Sequence, residues 1–409
     1  METSLALAPS WPRPRLLAVL VAGVLVAASL FGAQALEANL EIGHEPYQYD
    51  IVAWEIENLP GKWLYELGAL FRTGGSEAEN DAELRRFFAL TDEIDDLEGA
   101  ARDADAEAAL EAKRRERDRL ENRVEATIES RVTAALEREG ITYSPFILPR
   151  AVWPPVDFEF THSPRNLAIS PRSRIELQDS YLLRLGLSLD EVEAIEAERE
   201  ARDGVSALSF ETGGVGAYPT LITYSDSYRA TLERVAHEWA HNHLFFRPLG
   251  FNYYESTDLR TMNETVADLI GHEIAEAVIA EWPLDQESPS RGSERRGTSV
   301  DVGAALRQLR GEVDALLAAG RVEEAEALME QRRQELLQQG VYLRKINQAF
   351  FAFTNLYAGE AGNPGATNPI GPKIDELRRR SNSLREFVDT VAGITSVREL
   401  DRVLAAAEE

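Results

Sequence analysis

The chain is organised around two short motifs, His237-Glu238-Trp239-Ala240-His241 and, 22 residues after the second histidine, Asn263-Glu264-Thr265-Val266-Ala267-Asp268. Histidines at positions i and i+4 project from the same face of a helix, where both rings can bind one metal ion. The glutamate between them is the residue type that takes a proton from a metal-activated water. The first motif therefore predicts a catalytic metal site on a helix.

The second motif supplies what such a site still lacks. A catalytic zinc ion takes three protein ligands and leaves a fourth position for water. His237 and His241 supply two ligands, and Glu264, on the next predicted helix, is the expected third. Glu238 is the expected general base. Asp268, one turn beyond Glu264, is expected to hold the free N–H of a ligand histidine. The sequence thus predicts one Zn²⁺ per chain.

Together, the two motifs resemble the gluzincin group of zinc metallopeptidases, which includes thermolysin-like proteases and many aminopeptidases. In that group, HExxH is followed by a helix that carries NExxxD. The resemblance implies that His237, His241 and Glu264 bind zinc, that Glu238 is the general base and that Asp268 supports a histidine. It also implies a zincin-like domain, with a small sheet before the active-site helix and a helical subdomain after the glutamate helix. The family's edge strand, which pairs with substrate backbone, corresponds by position to residues 217–224.

The chain departs from the family in two respects. The exopeptidase signature Gly-x-Met-Glu-Asn is absent, and Gly216-Ala217-Tyr218-Pro219 stands in that region. The choice between endopeptidase and aminopeptidase action is therefore open. The sequence does not assign the residue that stabilises the oxyanion. The positional candidates are Tyr254, ten residues before Glu264, and Tyr357, beside a Gly/Pro-rich loop at 359–372. Tyrosines at such positions more often serve packing.

Composition and the N-terminus indicate where the protein acts. The net charge of −27 over 409 residues argues against a nucleic-acid binder, and the lack of cysteine excludes disulfides and thiolate ligands. Arg13 and Arg15 precede an uncharged apolar run at 16–36 that is long enough to cross a bilayer. We interpret this run as a membrane anchor, with a signal peptide cleaved after Ala33-Gln34-Ala35 as the alternative. Both interpretations place the catalytic domain outside the cytoplasm. The oligomeric state is left open.

The remaining pattern predicts a helix-rich α+β fold. We divide the chain into the anchor or signal (1–36), a juxtamembrane segment with charged amphipathic helices (37–140), a catalytic domain (141–285) and a helical C-terminal subdomain (286–409). Residues 80–140 predict two amphipathic helices or one long helix, and a helical hairpin is one arrangement of them. Within the catalytic domain we expect a helix from Asp179 to Arg202 and a glycine hairpin turn at 213–216, between strands at 205–210 and 217–224. Further strands are expected at 156–161 and 172–177.

Two classes of function fit these observations. The first is hydrolysis of peptide bonds in a peptide or protein substrate, with Glu238 as general base. The second is a non-catalytic, membrane-anchored binding or scaffold protein that retains a zincin fold and uses the helices at 80–140 as its interaction surface. The intact Glu238 favours the enzyme, because a scaffold has no use for that carboxylate.

Overall fold

The computed structural model describes residues 47–49, 75–98, 104–143, 150–162, 164–284, 301–357 and 368–406. They form a helix-rich α+β structure, as the sequence predicts. In chain order its elements are α1 (Glu77–Glu98), α2 (Ala104–Arg138), β1 (Phe158–Thr161), β2 (Arg165–Pro171), β3 (Asp179–Leu183), α3 (Leu189–Asp203), β4 (Val205–Glu211), β5 (Gly214–Val215), β6 (Thr220–Thr223), α4 (Tyr228–Phe245), α5 (Pro248–Phe251), α6 (Thr257–Glu281), α7 (Val302–Ala318), α8 (Val322–Gln338), α9 (Gln348–Thr354), α10 (Ile370–Arg380), α11 (Leu384–Val391) and α12 (Val397–Ala406).

The strands form two separate three-stranded sheets. In the first sheet the order is β1-β6-β5, with β1 parallel and β5 antiparallel to the central strand β6. In the second, β2 lies between β3 and β4 and is antiparallel to both. Residues 47–49 extend this second sheet, because the Tyr49 N–H bonds to Leu182 O at 2.8 Å and the Arg184 N–H to Tyr47 O at 2.7 Å.

The charged segment at 80–140 forms an antiparallel helical hairpin, which confirms one of the predicted arrangements. Ion pairs connect α1 to α2 in reversed order, with Arg123 bonding Glu83 at 2.9 Å and Arg86 bonding Glu116 at 2.7 Å. The apolar positions of the pattern face inward: the buried ones are Leu90, Ile94, Val124, Ile128, Val132 and Leu136. One hydrophobic cluster contains residues of this hairpin, of α4 and α6, and of the last three helices.

Several predictions about residues 141–285 are wrong. The segment from Asp179 begins as strand β3, and the helix starts only at Leu189, where Ser188 forms a capping box with Glu191. The glycine stretch is not a turn between the two predicted strands, because Gly214 and Val215 themselves form the edge strand β5. The predicted edge strand at 217–224 is instead the central β6. The strand predicted at 172–177 lies earlier, as β2.

Helices α4 and α6 pack directly against each other and carry the two motifs. Helix α4 buries Tyr228, Leu232, Val235 and Trp239, four apolar residues at helical spacing. Helix α6 is buried on more than one side. Every residue from Thr261 to Ala267 is buried, because α2, α4 and α10 all pack on this helix. The second motif therefore lies in the interior of the molecule.

Gly271 sets the separation of these helices. A Cβ atom there would lie 2.7 Å from the backbone oxygen of Glu233 and 3.2 Å from the His237 Cβ. We expect Gly271→Ala to lower the free energy of unfolding by about 1–3 kcal/mol, because the extra methyl forces the helices apart. The control is Gly311→Ala in α7, where a Cβ meets nothing within 4 Å and stability should rise by up to about 1 kcal/mol. Urea denaturation of both variants without metal tests this, and equal effects would contradict it.

Several predicted segments lie outside the described residues. These are the anchor or signal run at 16–36 and most of the Gly/Pro-rich loop at 359–372. Within the described part of the chain, no helix has both the length and the apolar character needed to cross a bilayer.

Candidate metal centre

Helix α4 brings the two histidines of the first motif together. It starts after Ser227, whose hydroxyl accepts the Ala230 N–H at 3.2 Å. One helical turn then separates His237 from His241, and their ring centroids are 4.7 Å apart. The two Nε2 atoms lie only 3.0 Å from each other. The spacing in the sequence thus produces a converging pair of nitrogens.

Glu264 of α6 completes a three-donor set. Its Oε2 atom lies 3.5 Å from the His237 Nε2 and 3.4 Å from the His241 Nε2. Donors about 2.0–2.1 Å from a tetrahedral zinc ion stand about 3.3–3.4 Å from one another. The three separations therefore match one face of a zinc tetrahedron, and the fourth corner is left for a non-protein ligand.

Neighbouring acceptors orient both imidazoles. The His237 Nδ1 lies 2.9 Å from Asp268 Oδ1, as the sequence predicts for Asp268. The His241 Nδ1 lies 2.7 Å from Asn263 Oδ1. Because carboxylate and amide oxygens accept, the neutral form of each imidazole carries its proton on Nδ1 and presents a lone pair on Nε2. Two lone pairs and a carboxylate oxygen then face one another, an arrangement that a divalent cation stabilises. This donor set fits zinc.

Burial and neighbouring charges shift the pKa values of the two carboxyl groups at the site. Burial alone would raise the pKa of Glu264, but His241 and His237 hold that pKa well below its ordinary value. Burial raises the pKa of Glu238, and the two histidines oppose that rise only in part. Glu264 is thus the anionic donor of the set, and Glu238 stands beside it as a separate buried carboxyl group.

Glu238 lies beneath the glycine strand. A Cβ at Gly214 would be 2.6 Å from its Oε1 atom, and a Cβ at Gly216 would be 3.5 Å from its Oε2 and 3.6 Å from the His241 Cβ. Only glycine permits this approach at Gly214. The glycine stretch, interpreted from the sequence as a turn, therefore places a sheet edge directly over the predicted general base.

The structure brings Tyr253, rather than the predicted Tyr254, to the metal centre. The Tyr253 hydroxyl donates to Glu264 Oε1 at 2.5 Å, which leaves Oε2 facing the histidines. Tyr254 is 57% exposed, and Arg260 lies 5.4 Å from the centroids of both rings. Tyr357 packs on Phe353, in a cluster formed with β2, β4 and α9. Because Tyr253 and Tyr254 are adjacent in the sequence, no sequence signal indicated which of them would contact Glu264.

Removing the Tyr253 hydroxyl should weaken metal binding. In Tyr253→Phe, Glu264 loses the hydrogen bond that fixes its carboxylate, and we expect zinc affinity to fall by about 10- to 100-fold. Competition with a chromophoric chelator measures this change. Tyr254→Phe is the matched control and should leave the affinity within about twofold of the original. Equal losses in the two variants would contradict the assignment.

A second group of carboxylates is formed by Glu121, Glu125 and Glu159. It contains no histidine, and two of its carboxylates accept hydrogen bonds from other residues. Glu125 accepts the Phe160 N–H at 2.7 Å, and Glu121 accepts the Tyr224 hydroxyl at 2.6 Å. Burial raises the pKa of Glu121 to about 7. This group connects α2 to the first sheet.

Comparisons with family models, with curated proteins and with solved structures find no match for this chain. The chemistry assigned to the site therefore depends on its own residues and geometry.

Proposed function

We propose that this protein is a zinc metallopeptidase of gluzincin type that hydrolyses peptide bonds in peptides or proteins. One observation carries the proposal: the lone pairs of His237 and His241 converge with Glu264 Oε2 at separations of 3.0–3.5 Å. The adjacent buried Glu238 adds the carboxylate that a hydrolase needs. The order of elements, with a small sheet before α4 and helices after α6, supports a zincin-like fold.

Each residue has a defined part in the proposed reaction. A zinc ion held by His237, His241 and Glu264 would polarise a substrate carbonyl and lower the pKa of a water toward neutrality. The Glu238 carboxylate accepts a proton from that water and delivers it to the departing amine. Asp268 fixes the His237 tautomer through Nδ1.

The sheet edge supports a peptide as the substrate. Strand β5 is the outer strand of its sheet and lies over Glu238, so an extended peptide that pairs with β5 would bring a carbonyl next to that carboxylate. We further propose that the apolar run at 16–36 places this site outside the cytoplasm, as an anchor or as a cleaved signal. The experiment below distinguishes endopeptidase from aminopeptidase action.

The test is digestion of a defined peptide mixture by the full chain, with mass-spectrometric mapping of every cut. We expect cleavage that stops with a zinc chelator and returns when zinc is added back. Internal cuts indicate an endopeptidase, and stepwise loss of N-terminal residues indicates an aminopeptidase. A zinc-loaded chain that cuts none of the peptides would contradict the proposal and favour the non-catalytic scaffold.

A further inference from the structure

Arg234 lies on the same face of α4 as the metal centre. It precedes His237 by three residues and Glu238 by four, so its side chain leaves the helix about one turn before theirs. Gly213 packs on it closely: a Cβ at Gly213 would be 3.0 Å from the Arg234 Nε and 3.3 Å from its Cδ. Gly213 therefore covers Arg234 in the same way that Gly214 covers Glu238.

The Arg234 guanidinium has no hydrogen-bond or ion-pair partner in the described part of the chain. The nearest acidic influences are Glu233 and Asp226, which act on it only through space. Burial lowers the pKa of Arg234, yet a guanidinium stays charged near neutral pH. Arg234 is partly buried. A positive charge without a partner among the described residues thus lies against Gly213.

Two other arginines whose side chains are largely shielded from solvent are paired with carboxylates. Arg131 bonds Asp81 at 2.7 Å, and Arg344 bonds Glu196 at 2.5 Å. Arg229, the other arginine of α4, is paired with Glu276. Removing a guanidinium from water without a partner is unfavourable, and a carboxylate that binds in two-point geometry offsets that cost. Among the described residues, Arg234 therefore differs from these arginines in having no carboxylate partner.

The geometry points to a bound substrate as the missing partner. Along the glycine strand, Gly213 lies on Arg234, Gly214 on Glu238, and Gly216 on both Glu238 and His241. A peptide extended along this edge passes Arg234 and the reacting carbonyl in turn. Four residues of helix span about 6 Å, which equals about two residues of extended peptide.

We propose that Arg234 binds a carboxylate of the substrate within about two residues of the cleaved bond. This inference rests on the proposed peptidase function and adds a substrate class to it: peptides with a negative charge near the scissile bond. The carboxylate belongs either to an Asp or Glu side chain or to the C-terminal residue. Both groups present the same pair of oxygens to the guanidinium.

Four versions of one octapeptide pool with free N-termini separate these sources. The pool either contains Asp and Glu or has Asn and Gln in their place, and its C-terminus is either free or amidated. With the full zinc-loaded chain, we expect loss of the recognised carboxylate to lower cleavage by about 10- to 100-fold. A drop on amidation identifies the C-terminal carboxylate, and a drop on side-chain replacement identifies Asp or Glu. Equal cleavage of all four versions would overturn the proposal.

Variants of Arg234 test whether this residue causes the preference for carboxylate-bearing peptides. In Arg234→Gln, we expect the preference to collapse to less than about twofold, whereas Arg234→Lys keeps part of it through charge alone. Arg229→Gln is the matched control, because it removes an equal charge from the same helix, and it should keep the original preference. A preference that persists undiminished in Arg234→Gln would overturn the assignment.

Binding without cleavage separates this inference from the proposed function. The same pools are offered to zinc-loaded Glu238→Gln, and the bound peptides are identified by ultrafiltration and mass spectrometry. Enrichment of carboxylate-bearing peptides that disappears in Glu238→Gln/Arg234→Gln supports the role of Arg234, even where no cleavage is found in any experiment. Cleavage without such enrichment would overturn the role of Arg234 and leave the peptidase proposal standing.

Discussion

Replacing Glu238 with glutamine is expected to lower kcat/KM for peptide hydrolysis by about 100- to 10,000-fold while zinc remains bound. Glu238 is only 8% exposed and lies under Gly214, so the nearly isosteric glutamine can occupy its place without moving the strand. The amide cannot accept the proton of the attacking water. The metal should stay, because the three donors come from His237, His241 and Glu264.

Two measurements check this expectation, namely the hydrolysis rate with an internally quenched peptide from the mapped cuts and the zinc content of the same sample. Glu233→Gln is the matched control. It removes a carboxylate from the same helix whose contacts are with Arg229 and His272 near the surface, and it should change kcat/KM by less than about twofold. If Glu238→Gln cleaves at the original rate with zinc bound, Glu238 is not the general base.

Replacing His241 with alanine is expected to reduce bound zinc from about one ion per chain to nearly none. The variant removes one of three donors and leaves the Asn263 amide oxygen without its imidazole partner. Because zinc binds the folded state, the original protein should gain thermal stability on addition of zinc, and the variant should lose that gain. Hydrolysis should fall with the metal content.

Metal analysis after dialysis and thermal melts with and without zinc provide the readouts. His272→Ala is the control, because His272 lies on α6 but is 65% exposed. It should keep both the ion and the zinc-dependent stabilisation. A circular dichroism spectrum of metal-free His241→Ala that matches the metal-free original shows that the fold has survived. Full zinc occupancy in His241→Ala would contradict the ligand assignment.

The helical part of the fold could be predicted because its signals are local. Ser227 caps α4, Ser256 caps α6, and Trp282-Pro283 follows the end of α6. The apolar positions at helical spacing also identified the inner faces of α1, α2 and α4. In each case, the hydrogen bonds that stabilise the element are made within it or at its ends, so neighbouring residues determine the outcome.

The errors occur where hydrogen bonds are long-range. Residues 179–183 bond to β2 and to residues 47–49, and these partners override the helical interpretation of Leu182 and Leu185. Gly214 and Val215 form a strand because β6 offers its edge to them. A short segment has only a weak preference for helix or strand, so the strand with which it pairs decides its structure.

The sequence by itself determined the pair His237 and His241 and the position of Glu238 between them, because the helical repeat places residues i and i+4 on one face. The second motif also indicated Glu264 and Asp268 as candidates. Only the tertiary structure decided that they meet the histidines and that Asn263 and Tyr253 join them. Packing of α6 on α4 brings Glu264, Asp268 and Asn263 to the histidines, the α4–α6 connection places Tyr253 on Glu264, and the first sheet covers Glu238 and Arg234 with its glycine edge. These contacts join residues of different elements, and no local spacing encodes them.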